Sequence, residues 1–293
     1  MVAIALANQK GGVGKTTVTL GFAEAACSLG LKVLAIDCDP QANATAGFGL
    51  NINDVQNTLA QIIEKEIVLT PQNKSDYIYT SPWVDEIAKV ERNAGTIDVI
   101  TSTPSLASVE THLSSDPIGS CDRVERAIEN IKNEYDVILF DCPPSIGHLT
   151  INALFAADEV VIISAPSAWS SDGVELFAKN VDRIAQRRGK PKISGIVINN
   201  VGRTRDGKYW ESEISSKNSI QNVTIASRAA IAESSAMSLP LRSLGSRPGA
   251  PDAARNFVDA FCKLIGIANI GHEAIIDDQS NKSGTIPATA LSS

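Results

Sequence analysis

The octapeptide Lys10-Gly11-Gly12-Val13-Gly14-Lys15-Thr16-Thr17 stands between the apolar run VAIALAN (2–8) and a stretch that reads as a helix over 16–29. Glycines let successive backbone N–H groups converge on an anion where any Cβ would intrude. A helix that opens at Thr16 adds its unpaired first-turn amides and the positive end of its dipole. In this setting Lys15 reaches the β- and γ-phosphates of a nucleotide, and the Thr16 hydroxyl ligates Mg²⁺. The loop works only if a strand delivers it and a helix leaves it. The next segments comply: Gly30 closes the helix, and KVLAID (32–37) is a second strand.

The same alternation continues along the chain. Strands are expected at 96–102, 137–141, 160–165, 193–199 and 222–226, and helices at 54–65, 122–133, 172–188 and 251–264. Val124, Ile128 and Ile131 share one face of the second of these helices, and Pro251 sits at the first position of the last. Strands that are apolar throughout belong to sheets covered on both sides. The expected fold is therefore α/β: a doubly wound, mostly parallel sheet with helices on both faces, in one domain over 1–270. Residues 271–293 are small and polar without a period, and are expected to form a disordered tail.

Of the 293 residues, 43% are hydrophobic and the net charge is −7, which excludes a disordered chain and a histone-like coat on nucleic acid. No run of 18 apolar residues exists, and the N-terminus lacks a basic, cleavable leader, so a cytoplasmic protein is expected. Cys27, Cys38, Cys121, Cys142 and Cys262 are odd in number and form no CxxC pair, which speaks against a zinc site or a disulfide framework. His112, His148 and His272 show no ligand spacing.

Two acidic motifs follow strands. Asp37-Cys38-Asp39-Pro40-Gln41-Ala42-Asn43 places two carboxylates beside the phosphate loop; taken alone, the segment also reads as an Asp-Pro turn. Asp141-Cys142-Pro143-Pro144-Ser145 ends the apolar strand VILFD, where a carboxylate holds Mg²⁺ through water. The loop itself departs from the GxxxxGK[ST] pattern. Gln9 stands where the first glycine belongs, and the extra cation Lys10 follows it.

These residues resemble the deviant Walker A signature of the ParA/MinD family of P-loop ATPases, with KGGVGKTT, the DxDPQxN segment and DxPPS all present, and the likeness runs over 2–265. The stretches 39–49 and 141–162 are most similar to the ParA/Soj partition ATPases. The resemblance implies an ATP-bound homodimer in which Lys10 crosses to the partner's nucleotide. It implies that Asp39 positions the attacking water, that Asp37 supports the Mg²⁺ shell, and that Gly11, Gly12, Val13, Gly14, Lys15, Thr16 and Thr17 hold the phosphates. Asn199 matches a residue that hydrogen-bonds adenine, although a strand-end cap explains it equally well. Arg228, and more loosely Arg247 and Arg255, match arginines that touch DNA phosphates without reading sequence; a solvated, salt-bridged face is the alternative. Arg242 lies in the same basic stretch, and Arg203 and Arg205 suit a dimer or partner interface instead.

The implied activity is ATP hydrolysis stimulated by a ParB-like or cargo-adaptor protein, with nucleoid association in the ATP state, to segregate plasmid or chromosome DNA. The same machine could position a carboxysome or chemoreceptor cluster. A MinD-like regulator is disfavoured because residues 271–293 are not basic and contain Pro287, so no membrane partner is expected. The first strand starts at residue 2, so the N-terminal winged helix of site-specific relatives is not expected. A metabolic P-loop amide ligase is the remaining alternative. The segment Ser167-Ala168-Trp169-Ser170-Ser171-Asp172-Gly173 replaces the aromatic or glutamate stretch and EG usual in Soj-type chains, which bears on the partner surface and not on the ATPase core.

Overall fold

The computed structural model describes residues 1–116, 119–167, 170–202, 204–217 and 220–266. The expected tail at 271–293 and Arg203 lie outside them.

Among the described residues, eight strands form one sheet: β1 (Val2–Ala7), β2 (Lys32–Asp37), β3 (Ile78–Thr80), β4 (Thr96–Ile100), β5 (Val137–Asp141), β6 (Glu159–Ser164), β7 (Lys192–Val201) and β8 (Asn222–Ala226). Their spatial order is β3-β4-β2-β5-β1-β6-β7-β8. All neighbours run parallel except β3, which pairs antiparallel with β4 at the edge. β3 is absent from the sequence reading. Three residues of antiparallel edge strand carry too short an alternation to stand out.

Residues within each strand alternate between two cores, as period-two geometry requires. Ala3, Ala5 and Ala7 of β1 join one apolar cluster and Ile4 and Leu6 join the other. The helices Lys15–Ser28 and Ala250–Ile265 pack together on the second face, where the Phe22 and Phe261 rings meet edge-on with centroids 5.5 Å apart. Gly21 permits this approach: a Cβ there would stand 2.4 Å from the Phe257 ring. The helices Leu59–Glu64, Leu106–Leu113, Arg123–Ile128, His148–Ala156 and Ser170–Arg188 contribute to the first face.

The helix expected over 54–65 opens later than its apolar pattern suggests. Thr58 and Gln61 close a capping box there, with Gln61 Oε1 accepting from the Thr58 N–H at 2.8 Å. Asn51 and Asp54 hydrogen-bond each other just before it, holding that stretch in a turn. The expected helix at 122–133 is split into Arg123–Ile128 and a short 3₁₀ turn, Lys132–Glu134.

A buried polar joint fixes the helix that leaves the phosphate loop. Glu24, 2% exposed, accepts the main-chain N–H groups of Leu241 and Arg242, each at 2.9 Å. The Arg242 guanidinium bonds Glu91 at 2.9 Å and approaches Glu24 at 3.5 Å. Burial pushes the Glu24 carboxyl up from its ordinary value, and Arg242 pulls it partly back. Arg242, one of the arginines of the basic stretch, is thus spent on holding the fold. Among the described residues, no helix is long and apolar enough to cross a membrane.

Candidate nucleotide and metal site

Three motifs far apart in sequence meet because their strands are neighbours. β5 lies between β2 and β1, with Asp37 opposite Asp141 and Leu6 opposite Asp141 in register. The loop after β1, the DCDPQ segment after β2 and the DCPPS segment after β5 therefore emerge side by side at the carboxyl ends of the strands, where open α/β sheets bind ligands.

The loop is braced from below. Asn8, 3% exposed, donates from Nδ2 to the Ile163 carbonyl of β6 at 2.7 Å, and its Oδ1 accepts the Lys10 N–H at 3.1 Å. Gly12 and Gly14 take positive φ, +73° and +89°. At Gly14 the space is also closed, since a Cβ would fall 2.0 Å from Asn199 Nδ2. Asn199 in turn donates to the Val13 carbonyl at 3.1 Å. The helix Lys15–Ser28 starts with no side-chain cap, leaving its first amides for a ligand.

Lys15 is buried and donates to the Lys10 carbonyl at 3.3 Å. Loss of hydration lowers its pKa, and the nearby Asp141 and Asp39 charges raise it in part. A desolvated ammonium at an uncapped helix N-terminus is suited to an incoming phosphate. Lys10 faces elsewhere: it is exposed, and its ammonium donates to Ser167 Oγ at 2.8 Å, next to Ser170 Oγ at 2.8 Å from the same oxygen.

Asp141 is the acidic centre. Its Oδ2 accepts the Thr16 hydroxyl at 2.7 Å and its Oδ1 accepts the Thr19 hydroxyl at 2.9 Å. Asp37 is committed to the turn that follows it. Its Oδ2 accepts both the N–H and the hydroxyl of Thr45 at 2.8 Å, and its Oδ1 accepts the Asp39 N–H at 3.1 Å. Asp39, 8% exposed, caps the same turn through Gln41 N–H at 2.9 Å, and its carbonyl accepts Ser102 Oγ at 2.7 Å. Burial pushes Asp37 up to about 7, with the Asp141 charge adding to it. Burial likewise pushes Asp141 up to about 6, against the two threonine hydroxyls and Lys15.

Among the described residues no three His, Cys, Asp or Glu converge on a point. The donors present are a hydroxyl, Thr16, and one carboxylate, Asp141, 2.7 Å apart. That set of hard oxygens fits Mg²⁺, which takes one or two carboxylates and draws its other ligands from substrate phosphates and water.

Beside the loop lies a cavity of about 390 Å³, walled by Gly12, Gly14, Thr17, Asn199, Ser227 and Arg228, among others. Its volume suits a nucleoside. Arg228 therefore stands in the wall of this cavity, and among the described residues its guanidinium has no hydrogen-bond or ion-pair partner. The other two arginines of the expected DNA face lie away from the loop, each beside an acid: Arg247 pairs with Glu233, and Arg255 approaches Asp252 at 4.0 Å. Asn8, Thr19, Thr45 and Ser102 are site residues that the sequence reading passed over. The hydroxyl three positions after Thr16, on the same helix face, was the available signal for Thr19.

Comparison with known proteins bears on the family and the fold. A family model described as an AAA domain matches residues 1–194. Over 184 residues, 63% of the chain, the sequence is 38% identical to the sporulation initiation inhibitor protein Soj of Bacillus subtilis. That match spans 66% of Soj, just under two thirds of its length. Among solved structures, an ATP complex of a Cyanothece McdA variant superposes with a TM-score of 0.75 at 20% identity, covering 93% of this chain and 99% of McdA. Cobyrinic acid a,c-diamide synthase from Mycobacterium smegmatis, with bound ATP analog and magnesium, gives 0.72 at 22% identity, covering 90% and 94%. Likenesses at these identities speak to the fold.

Proposed function

The chain belongs to the ParA/MinD-type P-loop ATPases, and from that premise we propose a partition-type ATPase that binds ATP with Mg²⁺, pairs with a second copy, holds DNA without sequence preference and hydrolyses ATP when a ParB-like or cargo-adaptor protein stimulates it. One observation carries the reading: an uncapped helix N-terminus, a desolvated Lys15 and the Thr16–Asp141 pair converge at the mouth of the loop while the second cation, Lys10, lies outside it. A loop that served only its own nucleotide would gain nothing from a cation on its outer side.

In this reading the amides of Gly11 to Thr17 and the Lys15 ammonium hold the phosphates. Thr16 and Asp141 hold Mg²⁺, which when bound neutralises charge on the β- and γ-phosphates. Asp39, at the tip of its turn, orients the attacking water, and Asp37 braces that turn through Thr45 and Asp39. Asn199 and Arg228 border the space for the nucleoside. Lys10 leaves Ser167 to reach the partner's triphosphate. The ATPase domain spans 1–270, with 271–293 as a tail, and the protein is cytoplasmic and joins the nucleoid when ATP-bound.

Gel filtration and DNA binding, each with ATP against ADP, test the proposal. The expected result is a dimer retained on DNA of any sequence in ATP, with affinity falling steeply as salt rises. An ATP-bound monomer indifferent to DNA would overturn it and favour a metabolic ligase of the same fold. Placing Arg228 at the cavity predicts that Arg228→Ala weakens nucleotide binding more than it weakens DNA retention by the ATP-loaded form; the reverse order would return Arg228 to the DNA face.

A further inference from the structure

The carboxylate of Asp141 is gripped twice, and only one grip comes from the residue expected to touch a metal. Thr16 and Thr19 sit three apart on the helix Lys15–Ser28 and so share a face. Thr16 takes Oδ2 at 2.7 Å and Thr19 takes Oδ1 at 2.9 Å. Thr19 is 0% exposed, so water does not compete for its hydroxyl. That hydroxyl also lies 3.1 Å from the Lys15 carbonyl, one turn back. It has one proton, for which the two acceptors compete. The carboxylate is nearer and charged, and it is the stronger acceptor.

The two grips differ in what a metal does to them. In the nucleotide-site reading the Thr16 oxygen would give a lone pair to Mg²⁺, so its orientation would answer to the ion. Thr19 has no such second duty. It ties the far oxygen of Asp141 to the helix that also carries Lys15 and Thr16, which fixes the plane of the carboxylate before any ligand arrives. A buried mid-helix position with no polar task would be served better by an aliphatic side chain, because threonine ranks low in helices and its hydroxyl must be satisfied.

We propose that Thr19 is a positioning residue for the metal site: its hydroxyl holds Asp141 in the orientation Mg²⁺ needs, although it touches neither metal nor nucleotide. The inference rests on the nucleotide-site reading above. The test measures binding of a fluorescent ATP analogue to the full chain, first in EDTA and then along a Mg²⁺ titration, for wild type, Thr19→Val, Thr19→Ser and Thr19→Ala. Orienting partners of metal ligands are typically worth about 10- to 100-fold in metal affinity. The Mg²⁺ concentration at half-effect should therefore rise by about that factor in T19V, while affinity in EDTA stays within about twofold. T19S, which keeps the hydroxyl, should return the Mg²⁺ response to near wild type. Should T19V fail to fold, T19A against T19S carries the same comparison.

An unchanged Mg²⁺ response in T19V would overturn the assignment. So would a loss of affinity equal in EDTA and in Mg²⁺, which would make Thr19 a support of the loop alone, or a folded T19S that behaves like T19V. If wild type itself binds no nucleotide, the nucleotide-site reading falls first and Thr19 with it; if wild type binds and T19V matches it, only Thr19's role is lost.

Discussion

Gly14→Ala is the substitution that most directly interrogates the loop. Two costs can be separated. The first is conformational: Gly14 has φ +89°, and a side chain in the left-handed region costs about 1–2 kcal/mol. The second is steric. The new Cβ would lie 2.0 Å from Asn199 Nδ2, a distance no pair of non-bonded heavy atoms tolerates. Asn199 must swing away, which breaks its 3.1 Å bond to the Val13 carbonyl and strands a buried amide, worth about 1–2 kcal/mol. The sum is about 2–4 kcal/mol, or a fall in melting temperature of roughly 4–15 °C for a chain of this size. Gly12→Ala is the internal control. It meets the same kind of φ, +73°, but nothing lies within 4 Å, so it should cost only the first part. Urea unfolding in EDTA reads both. Removing the obstruction in Gly14→Ala/Asn199→Ala should give back most of the steric part, a non-additivity of about 1 kcal/mol or more. Equal losses for G14A and G12A, with additive behaviour in the double variant, would refute the Asn199 contact and the loop conformation built on it.

Other expectations are simpler to state. Lys15→Ala should abolish nucleotide binding while leaving the nucleotide-free fold within about 1 kcal/mol of wild type, because a desolvated ammonium contributes little to folding; Lys10→Ala should keep binding and lose dimerisation or turnover, as equilibrium dialysis and gel filtration will tell. Glu24→Ala should destabilise by about 2–4 kcal/mol, since it leaves the Leu241 and Arg242 main-chain N–H groups without their acceptor while Arg242 keeps Glu91, and denaturant midpoints measure it. The nucleotide-free protein should grow less stable as pH rises from about 4 to 7. Asp37 and Asp141, pushed up to about 7 and about 6, keep protons in the folded chain that the unfolded chain, near 3.9, has already released. The stability they contribute is full below the unfolded value and is lost through the folded one, at up to about 1.4 kcal/mol per pH unit for each carboxyl. Urea midpoints at pH 5 and 8 in EDTA, compared with those of Asp141→Asn, check the sign; an undiminished slope in the variant would place the effect elsewhere.

What the sequence discloses follows from how local each signal is. β1 and the middles of β2, β5, β6 and β7 are apolar because both faces are covered there, and such runs are legible without a partner. β3 is not, since Ile78–Thr80 is a strand only by virtue of β4. The helix His148–Ala156 is buried on most sides and shows no amphipathic stripe, which is why periodicity passes over it. At the site, Lys15, Thr16 and Asp141 are announced by motif spacing. The tasks of Asn8, Thr19 and Thr45 are not, because each rests on a hydrogen bond to a residue between 8 and 155 positions away. Arg228 is the clearest instance of a charge whose surroundings the sequence does not disclose: it counts toward a basic stretch on paper and borders a cavity in space.

The adjacency of β2, β5 and β1 reaches further than the geometry of one site. Spacing between the acidic pair and the loop is set by the interstrand repeat of a hydrogen-bonded sheet, not by the chain that links them. The exposed turns within the connecting stretches, such as 51–57 and 71–76, can therefore lengthen, shorten or change character while the ends of those three strands keep their places. Diversity at the surface can accumulate in those exposed turns without moving the carboxylates relative to the loop, in the way that a vice accepts new jaws on an unaltered screw.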